Sequence, residues 1–238
     1  MILPQDTGER ILLAKESPLM VARHLSAYIF ASQYVAGRSV LDIACGEGYG
    51  SGFLADSART VSGLDYSAQA ISYAREKYRR DNLFFRELDV KELRCLREKF
   101  QVICAFQFIE HLRDANIFLE DVKPLLTEGG VFICSTPNKH DASPGSLVPC
   151  NKFHLKEYDL DEFRSLLQSH FTRVELWGLQ RTVKLAFYLR LKKSGLCNIL
   201  PAGVDPVKRF FGRLNPGNFE FKKNGLQNAL DFLAVCRI

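Results

Sequence analysis

No stretch of the 238-residue chain reaches about 18 uninterrupted apolar residues, so the sequence offers no membrane-spanning helix. The first residues, MILPQDTGERILLAKESP, have neither the basic start nor the apolar run of a secretory leader, and none is expected. The seven cysteines, at 45, 95, 104, 134, 150, 197 and 236, include no C-x-x-C pair. Scattered in this way they read as small buried hydrophobes of a reduced, cytoplasmic protein, which sets aside a disulfide framework or a cysteine-built metal site. No internal repeat or low-complexity tract is evident. Hydrophobic residues make up 47% of the chain, enough for a sizeable core, and the length suits one α/β unit with additions.

What is present is a glycine-rich loop at residues 40–51, reading VLDIACGEGYGS. Four mostly apolar residues lead into Asp42 and the turn, and Ser51-Gly52-Phe53-Leu54-Ala55 can begin a helix, which makes strand, tight loop, helix. Glycine lets the backbone take conformations that a Cβ forbids and lets a ligand approach the main chain. A dinucleotide fingerprint would need G-x-G-x-x-G, but Ser51 stands three residues after Gly48 and the third glycine comes early, at Gly50. Asp42 would also face two phosphate charges, a poor match for a pyrophosphate and a good one for a ligand carrying an ammonium group.

Helix and strand patterns alternate after this loop. Strands are predicted at 60–64, 83–87, 101–106 and 130–135, and helices at 51–57, 67–79, 91–97 and 114–126. An earlier helix is predicted over 19–35, with Val21, Leu25, Tyr28, Ile29, Ala31 and Val35 near helical spacing. Such alternation favours a parallel sheet covered on both faces, with ligands beyond the carboxyl ends of its strands. Acidic residues stand at those ends: Asp65 lies 19 positions after Gly46, where a ribose-binding carboxylate is expected, and Asp89 follows the third strand.

At this point the sequence resembles the class I S-adenosylmethionine-dependent methyltransferases. The resemblance implies an α/β, Rossmann-like doubly wound, mostly parallel seven-stranded sheet with an antiparallel last strand, and S-adenosylmethionine as cofactor. It implies that Asp42 and the Gly46 backbone hold the methionine end, with Gly48 close by. It further implies that Asp89 accepts from the adenine amino group, that the Val90 backbone contacts the ring, and that Phe106 lines the same pocket. Gly8-Glu9-Arg10, the run Ser135-Thr136-Pro137-Asn138, Asn151-x-Phe153-His154 and Glu157-Tyr158 resemble a subgroup that modifies sugars, cell-surface glycans and related small molecules.

The loop after the fourth strand, Phe106-Gln107-Phe108-Ile109-Glu110-His111-Leu112, is where the resemblance puts the transferable methyl. A histidine with a pKa of about 6.5 can take a hydroxyl proton near neutrality, so His111, with Glu110 beside it, is the candidate base or acceptor-orienting residue. A helix-capping or core histidine is the plain alternative. A metal role for Glu110 and His111 is the weakest reading, since no complete oxygen-rich ligand set is visible, and none is assigned. Asn151 and His154 are the candidate acceptor-binding residues, beside the alternative that His154 caps the following helix, predicted over 159–170. The loop rich in Pro, Ser, Gly and Asn that ends at Pro149 has the length of a functional lid.

The last two strands are predicted at 172–178 and 230–237, so residues 1–178 and 226–238 make one domain with an N-terminal helical cover. Residues 179–225 form a basic insertion: ten lysines and arginines against two acids, a net +8 that leaves the rest of the chain at −3. Three readings are open for it: a solvated face, a surface that attracts an anionic acceptor, or membrane contact through the basic and apolar segment 183–193. Nucleic acid ranks last, because no RNA- or DNA-binding module is recognisable. The function expected is O-methylation of a small-molecule or glycan-type acceptor. The alternatives are a quinone-like or lipid acceptor, or a cofactor-binding module without turnover.

Overall fold

The computed structural model describes residues 12–194 and 206–238. Cys197 and Gly8-Glu9-Arg10 lie outside the described residues. Eight strands form one sheet: β1 (Ser39–Ile43), β2 (Thr60–Asp65), β3 (Leu83–Glu87), β4 (Phe100–Phe106), β5 (Leu126–Pro137), β6 (Arg173–Arg181), β7 (Phe219–Lys222) and β8 (Asp231–Arg237). Their order is β3-β2-β1-β4-β5-β8-β6-β7. The first five run parallel, while β8 is antiparallel to both β5 and β6, and β7 is antiparallel to β6. This is the predicted doubly wound sheet with one strand more than seven. The addition is β7, from Phe219-Glu220-Phe221-Lys222, an alternation too short to stand out among its basic neighbours.

The helices are α1 (Pro18–Val35), α2 (Tyr49–Leu54), α3 (Ala68–Lys77), α4 (Ala115–Val122), α5 (Lys139–Ala142), α6 (Leu160–Gln168), α7 (Val183–Lys193) and α8 (Pro206–Phe211). Their ends follow capping chemistry. Ser17 accepts from the Met20 N–H ahead of Pro18, and α6 begins with a reciprocal Asp159–Glu162 capping box. Where a helix is predicted over 91–97, residues 90–95 form a 3₁₀ turn started by the Asp89 carboxylate accepting from Lys91 N–H.

Central strands are buried on both faces, as all five residues of β1 show. Because successive side chains alternate, Leu41 and Ile103 join Phe118, Phe132, Phe163 and Phe232 on one face. Val40, Val61 and Val102 meet Ala31, Leu54 and Ile71 of α1, α2 and α3 on the other. Each fully buried aliphatic side chain contributes about 1.5–3 kcal/mol. The described residues of 179–225 are joined to this body through β6 and β7, and Phe219 and Leu185 pack with Ala22 of α1. None of the described helices is long and apolar enough to cross a membrane. The six described cysteines are free; Cys45, Cys104, Cys134 and Cys236 are buried, whereas Cys95 and Cys150 are exposed rather than core.

Candidate active site

The strand order reverses between β1 and β4, and a parallel sheet opens a crevice at such a point because successive connections leave on opposite faces. A cavity of about 650 Å³ lies there, at the carboxyl ends of the strands. Its walls are the residues after β1 (Ala44, Cys45, Gly46), after β2 (Tyr66), after β3 (Leu88, Asp89, Val90) and after β4 (Gln107, Phe108, Glu110, His111), with Asp65 and Phe106 at strand ends. Helix α1 adds Met20, Arg23, His24 and Tyr28, and the segment before α6 adds Asn151, His154 and Glu157.

Asp65 ties two of these loops together. Its Oδ2 accepts from the Gly46 N–H at 3.0 Å and its Oδ1 from the Ser67 N–H at 2.9 Å, while the residue stays 6% exposed. A carboxylate has about four acceptor positions, so it can accept from a ligand's hydroxyls as well as from backbone N–H groups. Gly46 has φ +54°, and a Cβ there would meet nothing within 4 Å, so the backbone itself borders the cavity. Ala44 (φ 58°) and Gln107 (φ 50°) also have left-handed backbones despite carrying side chains. Both follow the ends of strands flanking the crevice, where such strain is held by surrounding structure and clusters at functional sites.

Asp42 and Gly48 do not line the cavity. Asp42 lies beneath the loop, fully buried, its Oδ2 accepting from the Ser51 hydroxyl at 2.6 Å, with the Tyr28 hydroxyl 3.4 Å from both oxygens. Gly48 is required by packing, since a Cβ would stand 2.7 Å from the Phe85 ring. Burial pushes the Asp42 carboxyl up to about 7, against the opposing hydrogen bonds from Ser51 and Tyr28. The folded protein therefore keeps a proton that the unfolded chain loses near pH 4. Stability from this group is present below that value and falls by up to about 1.4 kcal/mol per pH unit as pH rises to about 7. Asp42→Asn is expected to flatten that slope in urea unfolding of the ligand-free protein at pH 5 and 7.5. An unchanged slope would show that Asp42 is already ionised in the folded state.

The corner opposite Asp65 joins two loops. His111 Nδ1 lies 3.0 Å from the Phe153 carbonyl, which can only accept, so Nδ1 carries the proton and Nε2 is the acceptor nitrogen of the neutral ring. His154 is held in the same tautomer: Nδ1 donates to Glu157 Oε1 at 2.8 Å, and Nε2 accepts from Asn151 Nδ2 at 2.9 Å. The two imidazoles meet edge to face, with centroids 5.1 Å apart. Glu110 is fully buried; its Oε2 accepts from the Thr136 hydroxyl at 3.0 Å, and its Oε1 has no hydrogen-bond partner. Burial, reinforced by Asp231 and Glu157, pushes the Glu110 carboxyl up to about 8. Burial thus favours the protonated form of Glu110, which counts against it as the proton acceptor.

Several lining residues escaped sequence reasoning. Arg23 donates to both oxygens of Asp231, at 2.7 and 2.8 Å, which joins α1 to β8 beside the cavity. Burial holds His24 down to about 4, so it is neutral near pH 7. Tyr28 packs edge to face on Phe106 with centroids 4.9 Å apart. The helical spacing marked Tyr28 on a packed face of a helix expected over the cofactor edge of the sheet, but nothing local marked Arg23 or His24 as part of a cavity wall.

Besides Glu110, the lining carries four carboxyl groups (Glu16, Asp65, Asp89, Glu157) and one guanidinium, itself paired. Such a surface suits a ligand with positive charge and hydroxyls and suits phosphates poorly. Residues 35–175 match a family described as a methyltransferase domain. A probable S-adenosylmethionine-dependent methyltransferase of Mycolicibacterium smegmatis is 39% identical over 171 residues, 71% of this chain and 65% of that protein. A ubiquinone biosynthesis O-methyltransferase of Actinobacillus pleuropneumoniae is 31% identical over 110 residues, 43% of this chain and 47% of its own length. The chain spans roughly half to two thirds of the length of the curated relatives it matches. Among solved structures, a SAM dependent methyltransferase from Archaeoglobus fulgidus shares the fold with a TM-score of 0.62, covering 94% of this chain and 96% of that one at 18% identity.

Proposed function

This chain belongs to the methyltransferase domain family, and from that premise we propose that it transfers a methyl group from S-adenosylmethionine to an oxygen of a small-molecule or glycan-type acceptor. The observation that carries the reading is the acidic cavity at the strand ends, with Asp65 on one side and the Glu110–His111–His154 corner on the other. The cofactor supplies an activated methyl on a sulfonium, whose positive charge and ribose hydroxyls suit the carboxyl-rich lining. Asp65 accepts from the ribose hydroxyls and keeps the Gly46 loop in place. Asp89, with Leu88, Val90 and Leu93 beside it, serves the adenine end. Asp42 acts from beneath, fixing Ser51 and Tyr28 rather than touching the ligand, and Phe106 with Tyr28 closes the floor against water.

The acceptor enters beside His111, His154 and Asn151. His111 acts on its hydroxyl, because hydrogen bonding at Nδ1 sets the ring's acceptor nitrogen as Nε2. A quinone-like or other phenolic acceptor is the second reading, supported by the similarity to ubiquinone biosynthesis O-methyltransferases. None of the ten basic residues of 179–225 lines the cavity, which favours the solvated-face reading over electrostatic capture of an anionic acceptor. Lys192 and Lys223 instead lie over the rings of Phe211 and Trp177. Membrane contact through 183–193 would use Val183 and Phe187, which are exposed one turn apart on α7.

The test is transfer of a deuterated methyl from S-adenosylmethionine to a panel of glycosides, catechols and hydroxyquinones, read by mass. His111→Ala is expected to lower kcat by about 10²–10⁴ while leaving S-adenosylhomocysteine binding intact. An unchanged kcat would remove His111 from the reaction, and failure of the wild type to bind S-adenosylhomocysteine would overturn the reading as a whole.

A further inference from the structure

We infer that Glu110, His111 and His154 form a binding site for a divalent first-row transition metal at the acceptor end of the cavity. One carboxylate oxygen and one ring nitrogen from each histidine lie within 4.8 Å of one another. An ion with bonds of about 2.0–2.2 Å gathers such a set with small side-chain adjustments. The two loops that supply it are 42 residues apart where the Phe153 carbonyl meets His111.

Three further features point to a cation. Each imidazole has its Nδ1 held by an outer acceptor, the Phe153 carbonyl for His111 and the Glu157 carboxylate for His154. Outer partners of this kind orient metal-binding histidines, fix Nε2 as the ligand atom and raise its basicity. The third feature is Glu110 itself. The side chain is fully buried, Thr136 holds Oε2, and Oε1 stays without a donor while the residue lines the cavity. A buried oxygen left in that state is costly unless a donor reaches it or a cation binds it and displaces the carboxyl proton. The Asn151 amide now occupying His154 Nε2 sits on an exposed residue and can turn away when an ion takes its place.

Two imidazoles and one carboxylate favour zinc, manganese, iron, cobalt or nickel over magnesium or calcium, which prefer all-oxygen sets. Three protein ligands leave coordination positions open toward the cavity. On the methyl-transfer reading, an acceptor with two adjacent oxygens, a catechol or a vicinal diol, fits those positions. The ion acidifies the bound hydroxyl, whose proton passes to water, and the oxygen forms the new C–O bond as the C–S bond breaks with its electron pair on sulfur. His111 then acts on the hydroxyl through the ion.

The test uses the full chain, stripped with chelator and titrated with cobalt(II) chloride, following the visible absorption of the bound ion and the heat of binding. One ion per chain is expected, with affinity reduced about tenfold or more by His154→Ala and by Glu110→Gln, and unaffected by His170→Ala, an imidazole outside the cavity. S-adenosylhomocysteine binding by the same variants shows that they are folded. No spectral change in the wild type, or equal cobalt binding in wild type and both ligand variants, would overturn the site. Because the readout is the metal, cobalt binding without S-adenosylhomocysteine binding would sink methyl transfer and leave the metal site standing. The converse would remove the metal alone.

Discussion

Asp65→Ala is expected to weaken S-adenosylhomocysteine binding by about 1–3 kcal/mol, roughly 5- to 150-fold in Kd, measured by calorimetric titration. The carboxylate does two jobs, and the substitution removes both. On the proposed reading it is the acceptor for the ribose hydroxyls, and it holds the Gly46 and Ser67 N–H groups that keep the loops after β1 and β2 in register. Asp65→Asn separates these jobs. Both carboxylate oxygens accept from a backbone N–H, and an asparagine amide can replace only one of them, so one loop tether is lost while the side-chain volume is kept. An intermediate loss is expected for the asparagine variant. Equal binding by all three proteins would place the ribose elsewhere and reduce Asp65 to a structural tie.

Gly50→Ala is expected to destabilise the fold by about 3 kcal/mol, a fall of roughly 6–12 °C in Tm. A Cβ at position 50 would stand 1.9–2.4 Å from atoms of the Tyr28 ring, inside van der Waals contact. That ring cannot swing aside cheaply. It is 5% exposed, wedged edge to face between Tyr49 and Phe106, with its hydroxyl over Asp42. The glycine at position 50 is therefore a packing requirement between α1 and α2, independent of ligand approach. Adding Tyr28→Ala should recover part of the loss even though Tyr28→Ala alone opens a cavity, so the four proteins of the cycle are expected to be strongly non-additive in thermal and urea unfolding. Additive effects would mean that α1 moves as a body to admit the methyl group.

Both results bear on what kind of information the chain carries locally. The glycine loop, the βαβ alternation and the acidic residues closing β1, β2 and β3 are properties of short segments, written in periods of two and near four and in the few residues that permit a tight turn. They determined the parallel sheet, the end of it where the cavity opens, and the family. Asp42 shows the limit. Its place at a strand end was legible, but its depth was set by Tyr28, fourteen residues earlier, and by Ser51, nine later, which cover it and take up its oxygens. The 91–97 segment reads as helix by propensity, yet residues 90–95 form a 3₁₀ turn behind the Asp89 cap, a difference the local pattern does not carry.

The corner of Glu110, His111 and His154 was decided almost wholly by tertiary contact. Glu110 and His111 are neighbours in the chain, but their chemistry depends on Thr136, Phe153 and the His154–Glu157 pair, brought in from 26 to 47 residues away by the paths of β5 and the loop before α6. Hydrophobic periodicity places a residue on a face, and it cannot say which polar atom will be left without a donor when two loops close over it. The sequence by itself therefore determined the sheet, the strand ends at which the cavity lies and the membership of the chain. The tertiary structure alone decided which carboxyls are solvated, which are neutral, and that two histidines 43 positions apart share one corner, because burial and hydrogen-bond geometry exist only once distant segments are packed together.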